Sequence, residues 1–249
     1  MASKERLIER WKKLKQPELK NLKCYICDYE DNISNYKIYK INDIFEAGEL
    51  IRYECPCCTV IFGDMRFLLL DQYEIDNDYS DLYSFYNEGD TTEYIIKTLN
   101  SIDIFNDKSK SYLDYGCGNW NNIVPYLRNN GYNIFGYDKY VTNNNYFLND
   151  ITGLKFDIIY NNNFIEHLIN PIDFISTMVN HLNDYGYIVF ISPCFEYCYD
   201  FTHYHTFFFN DKSLEYISKK INIKLIDSKR INFNETGTDF TVIKVFQKY

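Results

Sequence analysis

Between Ser111 and Tyr140 the chain reads SYLDYGCGNWNNIVPYLRNNGYNIFGYDKY. An apolar run ends in Asp114, two glycines follow at Gly116 and Gly118, a helical pattern comes next, and a second apolar run stops at Asp138. Strand, glycine turn, helix and strand in that order make a βαβ unit, whose two strands lie parallel in one sheet. The glycines permit positive φ and let backbone N–H groups approach a ligand closely. The helix that follows turns its positive end toward the same point. A carboxylate closing the second strand accepts both hydrogens of a ribose diol.

The alternation continues to the end of the sequence. Strands are expected at 111–115, 133–137, 156–161, 186–192, 222–228 and 240–247, and helices at 120–130, 171–183 and 211–220. Strands separated by helices imply a mostly parallel sheet covered on both faces. The last two strands have no helix between them, which implies an antiparallel hairpin at the sheet edge. The ligand of the glycine turn is not expected to be a dinucleotide. The dinucleotide fingerprint has a third glycine where this chain has Asn121, and Asp114 would repel a pyrophosphate. An acid at that point suits a cationic ligand carrying an amino group and a sulfonium.

These residues resemble the class I S-adenosylmethionine-dependent methyltransferases. LDYGCG and the following GYD are similar to the first two motifs of that family, KFDIIYNNNFIEHLINPIDFI to its fourth strand and next helix, and YGYIVFISPC to its fifth strand. The resemblance covers about residues 110–249. It implies a Rossmann-like, doubly wound α/β sheet of seven strands with an antiparallel edge hairpin. It also implies S-adenosylmethionine as cofactor, with Asp114, Gly116, Cys117 and Gly118 lining its methionine part. Asp138 would hold the ribose hydroxyls with Lys139 beside them. Asp150 and the Ile151 N–H would face the adenine, and Asn163 would lie near the methyl-transfer face. Glu166-His167 is expected to pack locally.

Upstream the composition changes. Cys24-x2-Cys27 and Cys55-x2-Cys58 bracket an alternating stretch that reads as short strands joined at Ala47-Gly48. Two such knuckles supply four thiolates that close around one tetrahedral zinc, a structural site because no coordination position stays open. Cys57 breaks the x2 spacing and is left out of the set. Before the knuckles, Leu7, Ile8, Trp11 and Leu14 recur at helical spacing and predict a short amphipathic helix packed on the body. The chain is therefore divided into a helix and zinc-knuckle module at 1–70, a helical linker or lid at 71–110 and the cofactor-binding domain at 111–249. A knuckle module ahead of such a domain also resembles bacterial enzymes of sugar and secondary-metabolite pathways, such as those building surface polysaccharide. Some of those relatives methylate carbon and carry a further large C-terminal domain. With Tyr249 the end of this sequence, O-methylation is the expectation.

The charge balance narrows the partners. A net charge of -9 leaves no long-range basic field for a phosphate backbone, so nucleic acid is not expected. MASKERLIERWKKLK has no apolar stretch of a leader behind it, and no run approaches a membrane span. A cytoplasmic location follows as the expectation, and with it eight cysteines that are not disulfides.

The segment PCFEYCYDFTHYHTFF after the fifth strand is where this fold keeps its acceptor, because ligands bind beyond the carboxyl ends of the strands. Transfer to an alcohol needs a base, and a histidine of ordinary pKa suits that task. His203 is the expected base, oriented by Asp200 or another acid, with His205 the second candidate. The aromatic setting suits a sugar or sugar nucleotide. The alternatives are N- or O-methylation of another small metabolite, and a macromolecule modifier that uses the zinc module as an adaptor.

Overall fold

The computed structural model describes residues 3–86, 89–118, 122–141 and 146–249. Its strands in chain order are β1 (Asn21–Lys23), β2 (Glu30–Asn32), β3 (Lys37–Asn42), β4 (Glu49–Glu54), β5 (Ile61–Gly63), β6 (Ser111–Tyr115), β7 (Asn133–Tyr137), β8 (Phe156–Asn162), β9 (Leu182–Ser192), β10 (Phe207–Phe208), β11 (Ile223–Asn232) and β12 (Phe240–Lys248). The helices are α1 (Ser3–Lys13), α2 (Met65–Leu68), α3 (Gln72–Tyr83), α4 (Thr92–Asn100), α5 (Ile123–Asn129), α6 (Pro171–Asn180) and α7 (Asp211–Ile221). No helix among the described residues is long and apolar enough to cross a membrane.

Two compact units result, and they are drawn differently from the segments 1–70, 71–110 and 111–249. One takes Met1–Asn87 together with Glu166–Ile172 and Pro193–Lys220; the other takes Glu88–Ile165, Asp173–Ser192 and Ile221–Tyr249. The reason is a strand pairing. β10 lies antiparallel on β5, with Phe207 opposite Phe62 and Phe208 opposite Ile61, so the segment after β9 joins the N-terminal sheet. That sheet runs β10-β5-β4-β3 and is antiparallel throughout. Its hairpin turns where expected, at Gly48 with φ +88°, a value that glycine adopts without strain.

In the same unit α1 forms as its spacing predicts. Leu7 and Trp11 are four residues apart and so share one face. Both are 2 % exposed, packed with Ala47, Phe67, Leu82 and Tyr204. On α1's flank Arg10 bonds Asp78 and Asp81 of α3, whose start is fixed by a capping box between Asp71 and Glu74.

The other unit carries a sheet of order β11-β12-β9-β8-β6-β7. β7, β6, β8 and β9 are parallel, and β12 runs antiparallel between β9 and β11. The doubly wound α/β sheet and its closing hairpin are therefore present. Six strands are paired among the described residues where the family resemblance implies seven; beyond β7 a single parallel bridge joins Gly136 to Phe147. Tyr112, Ile134, Ile158, Tyr160, Val189 and Ile243 of the sheet, with Ile95, Leu99, Ile123 and Leu127 of the helices, form its core. β9 begins at Leu182, earlier than the expected 186, because its register with β8 shifts between Phe156 and Ile158 and pairing resumes across Gly186. A side chain at Gly186 would meet the Asn183 and Asp157 carbonyl oxygens at 3.0 Å, so a larger residue would crowd that irregularity.

Candidate functional site

The carboxyl ends of β6, β7 and β8 converge because these strands are parallel neighbours. At the end of β6, Gly116 and Gly118 have φ of +74° and +57°. The Gly116 N–H and, at 3.4 Å, the Cys117 N–H donate to the Tyr137 carbonyl of β7, which folds the turn back over the next strand. Gly116 also has a packing reason to be glycine: a Cβ there would lie 2.2 Å from the Phe164 ring. Cys117 is buried, and its sulfur lies 2.9 Å from where a side chain on Gly136 would begin. It thus packs inward against β7. Asn121 and the neighbouring start of the expected 120–130 helix lie outside the described residues.

Asp138 receives hydrogen bonds from the Gly118 N–H at 3.0 Å and the Tyr140 N–H at 2.8 Å. One carboxylate thereby ties the glycine turn to the end of β7. Burial raises its pKa, against the pull of those N–H groups. Lys139 is exposed, its ammonium 5.4 Å from the Tyr140 ring. Asp150 is exposed and turns back on itself, accepting from the Thr152 N–H at 2.9 Å and hydroxyl at 2.7 Å, while Ile151 is buried.

Asp114 is 3 % exposed and accepts a hydrogen bond of 2.8 Å from the Tyr160 hydroxyl of β8. Burial pushes its carboxyl up to about 7; the Tyr160 bond opposes the rise and the charge on Asp138 adds to it. Beside it, Asn161, Asn162 and Asn163 close β8, and each has a buried carboxamide oxygen with no partner among the described residues. Asn163 is left-handed at φ +48°, held there by its N–H on the Ile191 carbonyl at 2.8 Å. Buried acceptors left open at a strand end fit a ligand that brings donors, such as an amino group. Positive-φ glycines, a ribose-type carboxylate and open acceptors make the residues present compatible with S-adenosylmethionine.

A family model described as a methyltransferase domain matches residues 88–226, more than half of the chain. The chain belongs to the S-adenosylmethionine-dependent methyltransferases. This methyltransferase is similar in fold to the N-methyltransferase NodS from Bradyrhizobium japonicum WM9, solved with S-adenosyl-L-homocysteine, at 14% identity over 74% of this chain and 95% of that one, with a TM-score of 0.46. It is similar also to the Burkholderia thailandensis 1,6-didemethyltoxoflavin-N1-methyltransferase, at 11% identity over 85% of this chain and 99% of that one, with a TM-score of 0.46. At these scores neither says what this methyltransferase modifies. A comparison with curated proteins by sequence gives no match.

In the N-terminal unit the two knuckles are built alike. In each, the first cysteine's N–H and carbonyl close a short turn: Cys24 with Tyr29 and Asp28, Cys55 with Val60 and Thr59. Each knuckle ends in a left-handed residue, Asp28 at φ +59° and Thr59 at φ +60°. Cys24, Cys27, Cys55 and Cys58 offer sulfurs that all lie within 4.8 Å of one another, and the pairs Cys24–Cys58 and Cys27–Cys55 stand 3.6 Å apart. A tetrahedron of Zn–S bonds of about 2.3 Å has an edge of about 3.8 Å, so the donor set fits zinc. Cys57 stands apart, its sulfur 3.2 Å from the Tyr216 hydroxyl.

The same unit holds the histidines. His203 is 1 % exposed; its N–H and its Nδ1–H both donate to Asp43, at 2.8 and 3.0 Å. Asp43, not Asp200, is therefore its acid. Its Nε2 is buried and has no partner among the described residues. The ring packs at a tilt against Trp11 and Tyr204, each at 4.1 Å between centroids. Burial lowers the His203 pKa although Asp43 works the other way, so the ring is neutral at pH 7. Burial also works against the charge of Asp43, but the bonds from His203 and the Ala47 N–H outweigh it and hold that carboxyl below the usual range. His205 donates from Nδ1 to the Tyr199 carbonyl at 2.8 Å and lies edge-on to His167 at 4.8 Å. Asp43 and Tyr160 carry no motif and only the fold reveals them, while the spacing of α1 marks Trp11 only as a packing residue.

The pKa of Asp114 gives a testable sign. Folded Asp114 keeps its proton up to about pH 7, whereas unfolded it loses it near pH 4. Its contribution to stability is therefore full below about pH 4 and is lost as pH rises to about 7, a fall on the order of 4 kcal/mol. Urea denaturation of Asp114→Asn between pH 4 and 7 should show that component gone, with a flatter profile than wild type; parallel profiles would mean that Asp114 ionises normally.

Proposed function

We propose that this methyltransferase transfers a methyl group to a hydroxyl of a small carbohydrate acceptor, such as a nucleotide-linked sugar, with His203 taking the proton. The observation that carries this reading is the Asp43–His203 pair. With Nδ1–H fixed on Asp43, the neutral ring presents its lone pair at Nε2, the arrangement a general base requires. The atoms around it are also open to a polar guest. The Trp11 Nε1–H and the Tyr204 hydroxyl are buried without partners among the described residues. Aromatic rings with polar edges suit the apolar face and hydroxyl rim of a sugar.

S-adenosylmethionine, when bound, supplies a methyl group already activated by its sulfonium. Asp138 would hold its ribose, Gly116 and Gly118 its amino-acid end beside Asp114, Asp150 and Ile151 its adenine, with Lys139, Cys117 and Asn163 at the margins. Asp200 and His205 are assigned to shaping the segment that carries His203. Cys24, Cys27, Cys55 and Cys58 would hold one zinc. Its binding free energy becomes folding free energy for the knuckle turns.

Labelled methyl transfer to a panel of sugar nucleotides, set against bulk RNA and protein, tests the reading. Label in sugar nucleotides supports it; label in macromolecules alone reverses it. His203→Asn keeps a donor for Asp43 but removes the basic lone pair. It should lower kcat by roughly 10²–10⁴-fold and leave adenosylhomocysteine affinity unchanged; a normal rate would make His203 a packing residue. Asp138→Ala should weaken adenosylhomocysteine at least about tenfold by calorimetry with the fold intact, the loss of its ribose bonds. Metal analysis should give about one zinc per chain, and chelation should lower the thermal midpoint; a metal-free protein with an unchanged midpoint would reduce the knuckles to core cysteines.

A further inference from the structure

Arg52 sits where an apolar residue belongs. It shares a face of β4 with Leu50, and both are 0 % exposed. Its Nη2 donates to the Thr202 carbonyl at 2.8 Å and the His205 carbonyl at 3.2 Å. Nε and Nη1 are buried and have no acceptor among the described residues. The Phe208 ring lies 5.0 Å from the guanidinium carbon. Tyr197, Asp200, Asp64 and Cys194 act on it through space, but none forms an ion pair with it among the described residues. Asp64 is committed elsewhere, to Arg66 at 2.9 Å and to the Ile51 N–H at 3.0 Å.

A guanidinium stays charged in a protein, and burying it without a counter-charge is strongly unfavourable. The clamp on Thr202 and His205 does not account for it. Nη2 alone makes both bonds, and a neutral amide would serve. The open N–H groups on Nε and Nη1 point to a missing oxyanion, the partner that guanidinium recognises best.

We infer that Arg52 receives an oxyanion, phosphate or carboxylate, carried by the methyl acceptor. This rests on the proposed function and narrows it to an anionic acceptor: a sugar phosphate or nucleotide sugar, or a uronic acid. The placement is consistent with that role, because the carbonyls that Nη2 holds belong to the residues on either side of His203-Tyr204. One end of the arginine fixes the backbone that presents the base, and the rest of the group remains for the acceptor's charge.

The test is calorimetry on the full chain saturated with adenosylhomocysteine, using inorganic pyrophosphate and glucuronate as probes. Saturable binding of either supports the proposal, pyrophosphate identifying a phosphate acceptor and glucuronate a carboxylate. Arg52→Met should weaken that probe at least tenfold, leave adenosylhomocysteine affinity within twofold, and fold with an equal or higher thermal midpoint. Should this variant fail to fold, Arg52→Lys is read instead: probe affinity reduced at least threefold supports the proposal, and unchanged affinity overturns it. Binding of neither probe by wild type overturns it, as does equal binding by Arg52→Met. A tenfold loss of adenosylhomocysteine in Arg52→Met also overturns it, since the oxyanion would then be the cofactor's own carboxylate. If wild type fails to bind adenosylhomocysteine at all, the methyl-transfer reading falls and this inference with it; bound adenosylhomocysteine with no anion binding removes this inference alone.

Discussion

The carboxylate of Asp43 is the joint on which the N-terminal unit turns. One oxygen accepts from the Phe45 and Ala47 N–H groups of its own hairpin, at 2.9 and 3.0 Å; the other accepts from the backbone and ring of His203. The turn between β3 and β4 and the segment after β9 are thereby held by one side chain, 8 % exposed. Charge-assisted bonds in a buried setting are strong, and removing the acceptor would leave four donors unsatisfied. The tautomer of His203 depends on it.

Other buried charges of this unit meet the same difficulty in different ways. Asp64 is surrounded by donors: Arg66, the Ile51 N–H and Gln16. Asp78 is paired with Arg10, yet burial still raises its carboxyl to about 6 and one of its oxygens stays open. Arg52 is compensated least. Charge is thus matched at Asp64, matched on one oxygen only at Asp78, and left without an ion pair among the described residues at Arg52.

The cofactor half was legible because its signals are local. β6 and β7 fall on 111–115 and 133–137 as read from the apolar runs, and Gly116, Gly118 and Asp138 meet because a glycine turn between parallel strands leaves little choice. Cys24, Cys27, Cys55 and Cys58 were legible for a similar reason: x2 spacing directs both sulfurs of a knuckle to one side. The partner of His203 was not legible. Asp200 is near in sequence, but Asp43 is 160 positions away and reads as an ordinary turn acid. Nor does periodicity reveal that Phe207 and Phe208 add a strand to β5, since a two-residue strand has no pattern.

By itself, then, the sequence determined the main strands and helices around the glycine turn, that turn with its two acids and the four-cysteine set, since each follows from spacings within one or two elements. Only the tertiary structure decided which acid bonds His203, that Arg52 lies buried with no ion pair among the described residues, and that the chain divides into units cutting across its linear order. Those outcomes depend on pairings between residues far apart in the chain, and burial and electrostatic balance at such points are fixed only when the distant segments pack.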